Sequence, residues 1–150
     1  MLRGLTIGLL IAVFFVAFGV LNEYCSGISP LYMGIGYSMY PTILNLDLVF
    51  VVPKPLLTPE DINVGDIIVF KEPFYNRTII HRVIEVVGYL YRTKGDNNPV
   101  ADNYYITFDR VLGKAITVYG NPVRINVIVL SGILVGLDLV TSKRTSKRRW

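Results

Sequence analysis

Where the apolar residues lie constrains this 150-residue chain more than any other feature of its sequence. Leu5 to Leu21 (LTIGLLIAVFFVAFGVL) is an uncharged run of 17 residues, and a second apolar run extends from Ile125 to Val140, interrupted by Asn126, Ser131 and Asp138. At about 1.5 Å per residue, each would cover roughly 25 Å as a helix, slightly less than the roughly 30 Å hydrocarbon core of a bilayer. The pattern predicts an N-terminal membrane anchor over residues 1–22 and a C-terminal membrane segment over 123–141. A cleaved leader fits the first run less well. Its small residues, such as Ala17 and Gly19, sit inside the apolar stretch rather than after it, and Cys25 follows Asn22-Glu23-Tyr24 with no small-residue pair before it.

The charges are equally localised. The chain has a formal net charge of +4, yet residues 141–150 hold five basics and no acid, which leaves residues 1–140 at −1. Arg3 before the first run and the basic tail 142–150 after the second place both ends in the cytosol and the intervening segment outside. That segment, residues 22–122, carries eight basics and ten acids, so there is no electrostatic case for a nucleic-acid partner. One cysteine excludes an intrachain disulfide framework and a zinc cage.

Between the runs the sequence reads as β structure. Asp47 to Val52, Asp66 to Phe70, Thr78 to Val87, Tyr89 to Thr93 and Val111 to Tyr119 are rich in β-branched and aromatic residues. Turn-forming stretches at 53–61, 72–76 and 95–99 separate them. The expected fold is mainly β: a small antiparallel sheet or barrel over residues 23–122 whose only helices are the membrane segments. Asn76-Arg77-Thr78 is also a glycosylation sequon on the expected outer side.

Three short segments can carry chemistry. Gly34 to Ile43 (GIGYSMYPTI) puts Ser38 in a glycine-flanked turn; the nucleophile elbow of the α/β-hydrolases needs a glycine two residues after the serine, where Tyr40 stands. By itself Ser38 reads as a turn serine. His81 is the sole histidine, within a strand that points Ile79, His81 and Val83 to one face and Ile80, Arg82 and Ile84 to the other. It cannot alone hold a metal, but a free imidazole titrates at roughly 6.5 and one is enough to serve a serine as base. Finally, Lys94-Gly95-Asp96-Asn97-Asn98 followed by Asp102 is ordinary turn chemistry that also sets two carboxylates six residues apart, either able to accept the second ring proton of His81.

Taken in order, Ser38-Met39-Tyr40-Pro41 after an N-terminal anchor, Gly65-Asp66-Ile67-Ile68-Val69-Phe70, Ile80-His81-Arg82-Val83, and Lys94 to Asn98 with Asp102 closely resemble the type I signal peptidases, over nearly the whole chain to Gly113-Lys114. Bacterial members have a lysine where this chain has His81, so it resembles the archaeal and endoplasmic-reticulum branch. The resemblance implies a membrane-bound serine endopeptidase that removes N-terminal signal peptides after small residues, without a cofactor or metal. It implies Ser38 as nucleophile, His81 as general base and then acid, Asp102 as the orienting carboxylate and Asp96 as a supporting acid in the same loop. The mechanism so implied makes the Ser38 N–H the first oxyanion donor. Many bacterial members supply a second from a hydroxyl two residues before the serine, where this chain has Gly36.

The substrate it implies is an extended preprotein segment added to a sheet edge, with Met39, Ile43, Ile79 and Ile80 as candidate walls of shallow pockets and as ordinary core residues in the plainer reading. Expected partners are signal-peptide-bearing preproteins, the lipid bilayer, and translocation machinery or accessory subunits. The short N-terminus and compact catalytic region lean to an archaeal plasma membrane rather than the endoplasmic reticulum. Two rivals share these features: a non-catalytic β domain that scaffolds translocation partners, and a related membrane serine protease acting on surface or pilin-like proteins.

Overall fold

The computed structural model describes residues 29–146, with side chains through Leu137, together with Leu10 and Phe14. Leu10 and Phe14 are helical; the rest of the expected anchor over 1–22, Cys25 and residues 147–150 lie outside the described residues.

Ten strands follow in chain order: β1 (Leu31–Gly34), β2 (Asp47–Pro53), β3 (Ile67–Lys71), β4 (Thr78–Val87), β5 (Leu90–Lys94), β6 (Tyr105–Thr107), β7 (Val111–Ala115), β8 (Thr117–Val118), β9 (Asn121–Pro122) and β10 (Arg124–Asn126). A helix, α1 (Val127–Ser146), closes the described chain. The main sheet runs β1-β2-β7-β3-β4-β5-β6, with β10 also on β2, and all its pairings are antiparallel. Strands β8 and β9 form a separate hairpin. The mainly β, antiparallel reading therefore holds.

β3 shows why the sheet has a core on each face. Ile67, Ile68, Val69 and Phe70 are all fully buried. Because successive side chains point to opposite faces, Ile67 and Val69 join Met39, Ile43, Val49, Val51 and Leu112 on one side. Ile68 and Phe70 join Ile62, Val83, Tyr91, Ile106 and Val111 on the other. A strand covered on both sides reads as a continuous apolar run rather than an alternating one. In β4 the alternation persists: His81 and Val83 are buried on the face of Phe70, while Ile80 packs against the opposite cluster. Bulges between Val69 and Phe70 and between Val83 and Glu85 interrupt the ladders; such bulges bend and twist a sheet.

Several expectations need correction. The stretch Val111 to Tyr119 is not one strand. β7 ends at Ala115: Ile116 N–H still reaches the Phe50 carbonyl of β2, but the Ile116 carbonyl accepts from Val123 N–H, and the chain between them forms the β8–β9 hairpin. At the hairpin tip both Tyr119 and Gly120 have positive φ (51° and 77°), as a tight two-residue hairpin turn demands. Residues 124–126, at the head of the expected 123–141 segment, are strand rather than helix, because Arg124, Ile125 and Asn126 pair with Val49, Leu48 and Asp47 of β2. Among the described residues, moreover, no helix is long and apolar enough to cross a membrane. α1 has 20 residues, but Asp138, Lys143 and Arg144 fall within it and leave only its first half free of charge. The expected C-terminal membrane helix is thus an apolar helix with a charged end. Short 3-10 turns at Lys54–Leu56, Pro59–Asp61 and Phe108–Arg110 add helical structure outside the membrane segments.

The start of α1 is tied to the sheet. Asn126 accepts the N–H groups of Ile128 and Val129 on its Oδ1, at 3.1 and 3.4 Å, which makes it the helix N-cap. Its Nδ2 donates to Asp47 Oδ1 at 2.7 Å and to the Asn45 carbonyl at 3.2 Å. Asp47, fully buried, is further paired with Arg124 and accepts the Leu44 N–H at 2.8 Å. A buried carboxylate must be satisfied this way, and here it joins β2, β10 and the loop after β1.

Candidate active site

Ser38 sits in the loop joining β1 to β2, and that loop is fixed at several points. Leu46 N–H donates to the Gly34 carbonyl at 2.8 Å, and Gly36 N–H donates to Asn45 Oδ1 at 3.0 Å. Within it, residues 37–43 turn tightly: Tyr40 N–H reaches the Tyr37 carbonyl at 3.1 Å and Ile43 N–H the Met39 carbonyl at 2.9 Å. The Tyr40–Pro41 peptide is cis. Met39 and Ile43, 4% and 3% exposed, anchor the turn in the core, so Ser38 is presented from a seated loop.

His81 comes from the middle of β4, opposite Ile68 of β3, and its ring edge meets Phe70 at a centroid distance of 6.4 Å. Its Nε2 is 3.1 Å from Ser38 Oγ and its Nδ1 is 2.8 Å from Asp102 Oδ2. Residues 38, 81 and 102, far apart in the chain, thus form one hydrogen-bonded series. Only 5% of His81 is exposed, which removes it from competing water.

Asp102 is held by more than the imidazole. Thr93 Oγ1 donates to the same Oδ2 at 2.6 Å, and Asp102 N–H donates to the Thr93 carbonyl at 2.9 Å. Thr93, opposite Val83 in the β4–β5 ladder, is fully buried and falls on the His81 side of the sheet. Burial alone would raise the Asp102 pKa, but the hydrogen bonds from His81 and Thr93 outweigh it and hold the carboxyl below the usual range. Nearby, burial, with the Asp102 charge adding to it, pushes the Tyr104 phenol up to about 12, so that side chain stays neutral.

Asp96 does something different. It does not touch His81; it takes a two-point grip from Arg82, with Nε and Nη2 both at 2.8 Å, while Arg82 Nη1 reaches the Gly65 carbonyl at 2.8 Å. Against the upward push of burial, the hydrogen bonds from Arg82 and Thr42 keep its pKa low. Asp96 therefore braces the 95–102 loop against β4. Of the two acids, the one on the imidazole is Asp102.

The loop carries two more groups that the motif pattern did not single out. Asn97 donates its backbone N–H to the Ser38 carbonyl at 2.8 Å and its Nδ2 to the Tyr37 carbonyl at 3.1 Å. Gly95 lies so close to the serine turn that a Cβ there would stand 2.6 Å from the Ser38 carbonyl oxygen, and 2.9 Å from both His81 Nε2 and Asn98 Nδ2. No side chain fits. The Gly-Asp turn signal was visible in sequence, but not that it abuts the serine.

The four candidate pocket residues do not gather at one place. Met39, Ile43 and Ile80 share the cluster on one face of the sheet, whereas Ile79 packs against the cluster on the other. Among the described residues no group of three His, Cys, Asp or Glu side chains is placed to hold a metal. Asn76 of the sequon is exposed at the β3–β4 turn with a φ of 54°.

Chemically, a serine hydroxyl on an imidazole whose other nitrogen is held by an ionised, hydrogen-bonded carboxylate is an arrangement suited to nucleophilic attack on a carbonyl. Comparison with known proteins points the same way. The chain is 30% identical over 122 aligned residues to "Signal peptidase complex catalytic subunit sec11" of Dictyostelium discoideum, which takes in 72% of this chain and 65% of that relative. Residues 6–103 match the family described as "Signal peptidase, peptidase S26". That match covers most of the chain and takes in the serine turn, β4 and the Gly95–Asn98 loop, so the chain belongs to the signal peptidase family, on the branch shared by archaea and the endoplasmic reticulum.

Proposed function

We propose that the protein is a membrane-bound serine endopeptidase that removes N-terminal signal peptides from preproteins, cutting after small residues. The observation that carries this reading is the hydrogen-bonded series Ser38–His81–Asp102. In the resting site His81 Nδ1–H donates to Asp102, which leaves Nε2 free to accept the Ser38 proton. As Ser38 Oγ attacks the scissile carbonyl, His81 takes that proton and then passes one to the departing amine. Water repeats the cycle on the acyl-enzyme. Asp102 holds the tautomer and balances the imidazolium.

The Ser38 N–H is the first oxyanion donor, and no hydrogen bond from it is formed among the described residues. Gly36 offers no side chain for the second, and its N–H is committed to Asn45. Asp96 acts as the brace of the loop rather than on the imidazole, consistent with its bonds to Arg82. Of the candidate pocket walls, Met39 adjoins Ser38 in the turn and shares its cluster with Ile43 and Ile80, while Ile79 lies on the face of His81.

The membrane part of the proposal rests on the uncharged run Leu5 to Leu21 as anchor. The apolar first half of α1, where Ile128, Val129, Ile133, Val135 and Leu137 are all more than half exposed, fits a helix inserted partly into the bilayer face. The catalytic domain would then lie outside the membrane on the face that α1 meets, and accessory subunits are compatible with the relative's being named the catalytic subunit of a complex. The test is to incubate detergent-solubilised protein with a preprotein and to sequence the new N-terminus. Wild type should cut after a small residue and Ser38→Ala should not. Cutting by Ser38→Ala, or cutting with no preference for small residues, would sink the proposal.

A further inference from the structure

The exposed Asn97 side chain has no part in the proton path, yet it reaches across the site to the backbone of the serine turn. Its Nδ2 donates to the Tyr37 carbonyl at 3.1 Å, and its own N–H donates to the Ser38 carbonyl at 2.8 Å. A peptide unit is planar, with its C=O and N–H pointing in opposite directions. Whatever holds the Tyr37 carbonyl therefore also aims the Ser38 N–H. That carbonyl takes a second bond from Tyr40 N–H at 3.1 Å, but Tyr40 belongs to the same turn and moves with it. Asn97 is the tie to a separate frame, the loop that Asp96 fastens to Arg82 and that Asp102 closes on Thr93. The tie has something to restrain: Gly36, at φ +105°, leaves the turn free of the limits a side chain would impose just before Tyr37.

We infer that Asn97 is a positioning residue, which aims the Ser38 N–H at the substrate carbonyl oxygen by holding the peptide unit behind it. The inference rests on the reading of Ser38 as nucleophile. Donation to the Tyr37 oxygen also polarises that unit and strengthens its N–H as a donor. The same loop would then set both halves of the reaction: Asp102 orients the base and Asn97 orients the oxyanion donor.

The contribution should appear as charge develops on the substrate oxygen, not on ground-state binding. In Asn97→Ala the backbone bond to Ser38 remains, and only the Nδ2 bond is lost. kcat for preprotein cleavage should fall about tenfold, less than the roughly 10²–10³-fold cost of deleting an oxyanion donor outright. KM should not move. A peptide aldehyde spanning the cleavage site forms a tetrahedral adduct with the serine, and its affinity should fall by the same factor as kcat. Asn97→Gln, which keeps an amide N–H, should recover part of both losses. Unchanged kcat, a change confined to KM, or a fall in kcat with unaltered aldehyde affinity would each overturn the inference. Ser38→Ala is assayed alongside. If it still cuts, the nucleophile reading falls and takes this inference with it; if it is inactive while Asn97→Ala keeps full kcat, only the inference falls.

Discussion

Gly95→Ala is the smallest change that should separate the base from the nucleophile without replacing either. The added methyl would lie 2.6 Å from the Ser38 carbonyl oxygen, and reaching an ordinary contact of 3.4 Å requires the serine turn and the loop to part by about 0.8 Å. That oxygen is backbone, already bonded to Asn97 N–H at 2.8 Å, so it cannot rotate away as a side chain could. On the other side the methyl meets His81 Nε2 at 2.9 Å, so the same wedge pushes the imidazole as well. The Ser38–His81 bond begins at 3.1 Å; opened by most of that displacement it passes the 3.2 Å end of the usual range and ceases to be a hydrogen bond. A misplacement of about 1 Å at a reacting pair costs on the order of 10²-fold in rate, or about 2.7 kcal/mol in the barrier. Overpacking itself should cost about 1–3 kcal/mol of stability. Preprotein cleavage and thermal unfolding would be measured on the same preparation. The expected result is a folded protein with kcat/KM down about a hundredfold. Cleavage within a factor of a few of wild type at unchanged melting temperature would refute the reasoning, because the glycine would then not be needed for the approach.

Thr93→Val keeps the shape and removes the donor to Asp102; with about 1–1.5 kcal/mol lost from one buried hydrogen bond, kcat/KM should fall roughly tenfold and the Asp102 pKa should rise, read by NMR titration of its carboxyl carbon. Asp96→Asn removes the ionic grip of Arg82, a pair about one-fifth exposed, so solvent screening holds the cost at neutral pH to about 1 kcal/mol. The folded pKa of Asp96 lies below its unfolded value, so its contribution is fully present above the unfolded value of about 3.9 and is lost as pH falls through the folded one. Denaturant midpoints of wild type and Asp96→Asn should therefore differ at pH 7 and converge below about pH 4; a constant gap would remove the charge from the explanation. Asn126→Ala deletes the N-cap of α1 and one partner of buried Asp47, with an expected loss of about 1–2 kcal/mol in urea unfolding and little change in kcat.

Five strand regions were legible because each is a β-branched or aromatic run between turn residues, and β3 and β4 fell within a residue of their expected bounds. β1, β6, β9 and β10 were not. β1 has four residues, opening after Pro30 and ending on Gly34, too short for a periodic signal, and it exists because it pairs with β2. Arg124–Asn126 looked like the head of an apolar helix, and tertiary pairing with β2 overrode that local preference. The site divides likewise. Ser38, His81 and the Asp96/Asp102 loop stood out through the order of their motifs. The roles of Thr93, Gly95 and Asn97 did not, since a strand threonine, a turn glycine and a turn asparagine are common, and their place comes from the Val83–Thr93 register and the folding of the 95–102 loop onto the serine turn. The choice between Asp96 and Asp102 was of the same kind. Six residues apart in one loop, the two acids are separated only by which of them meets the imidazole and which meets Arg82.

The most direct test of the proposed chemistry is to catch the covalent intermediate. The protein would be mixed with excess preprotein, quenched in acid within milliseconds and digested, and the acylated peptide identified by mass spectrometry. The Ser38–His81–Asp102 mechanism predicts an acyl group on Ser38 in wild type and none in His81→Ala. An acyl group on another residue, or undiminished acylation of Ser38 in His81→Ala, would contradict it.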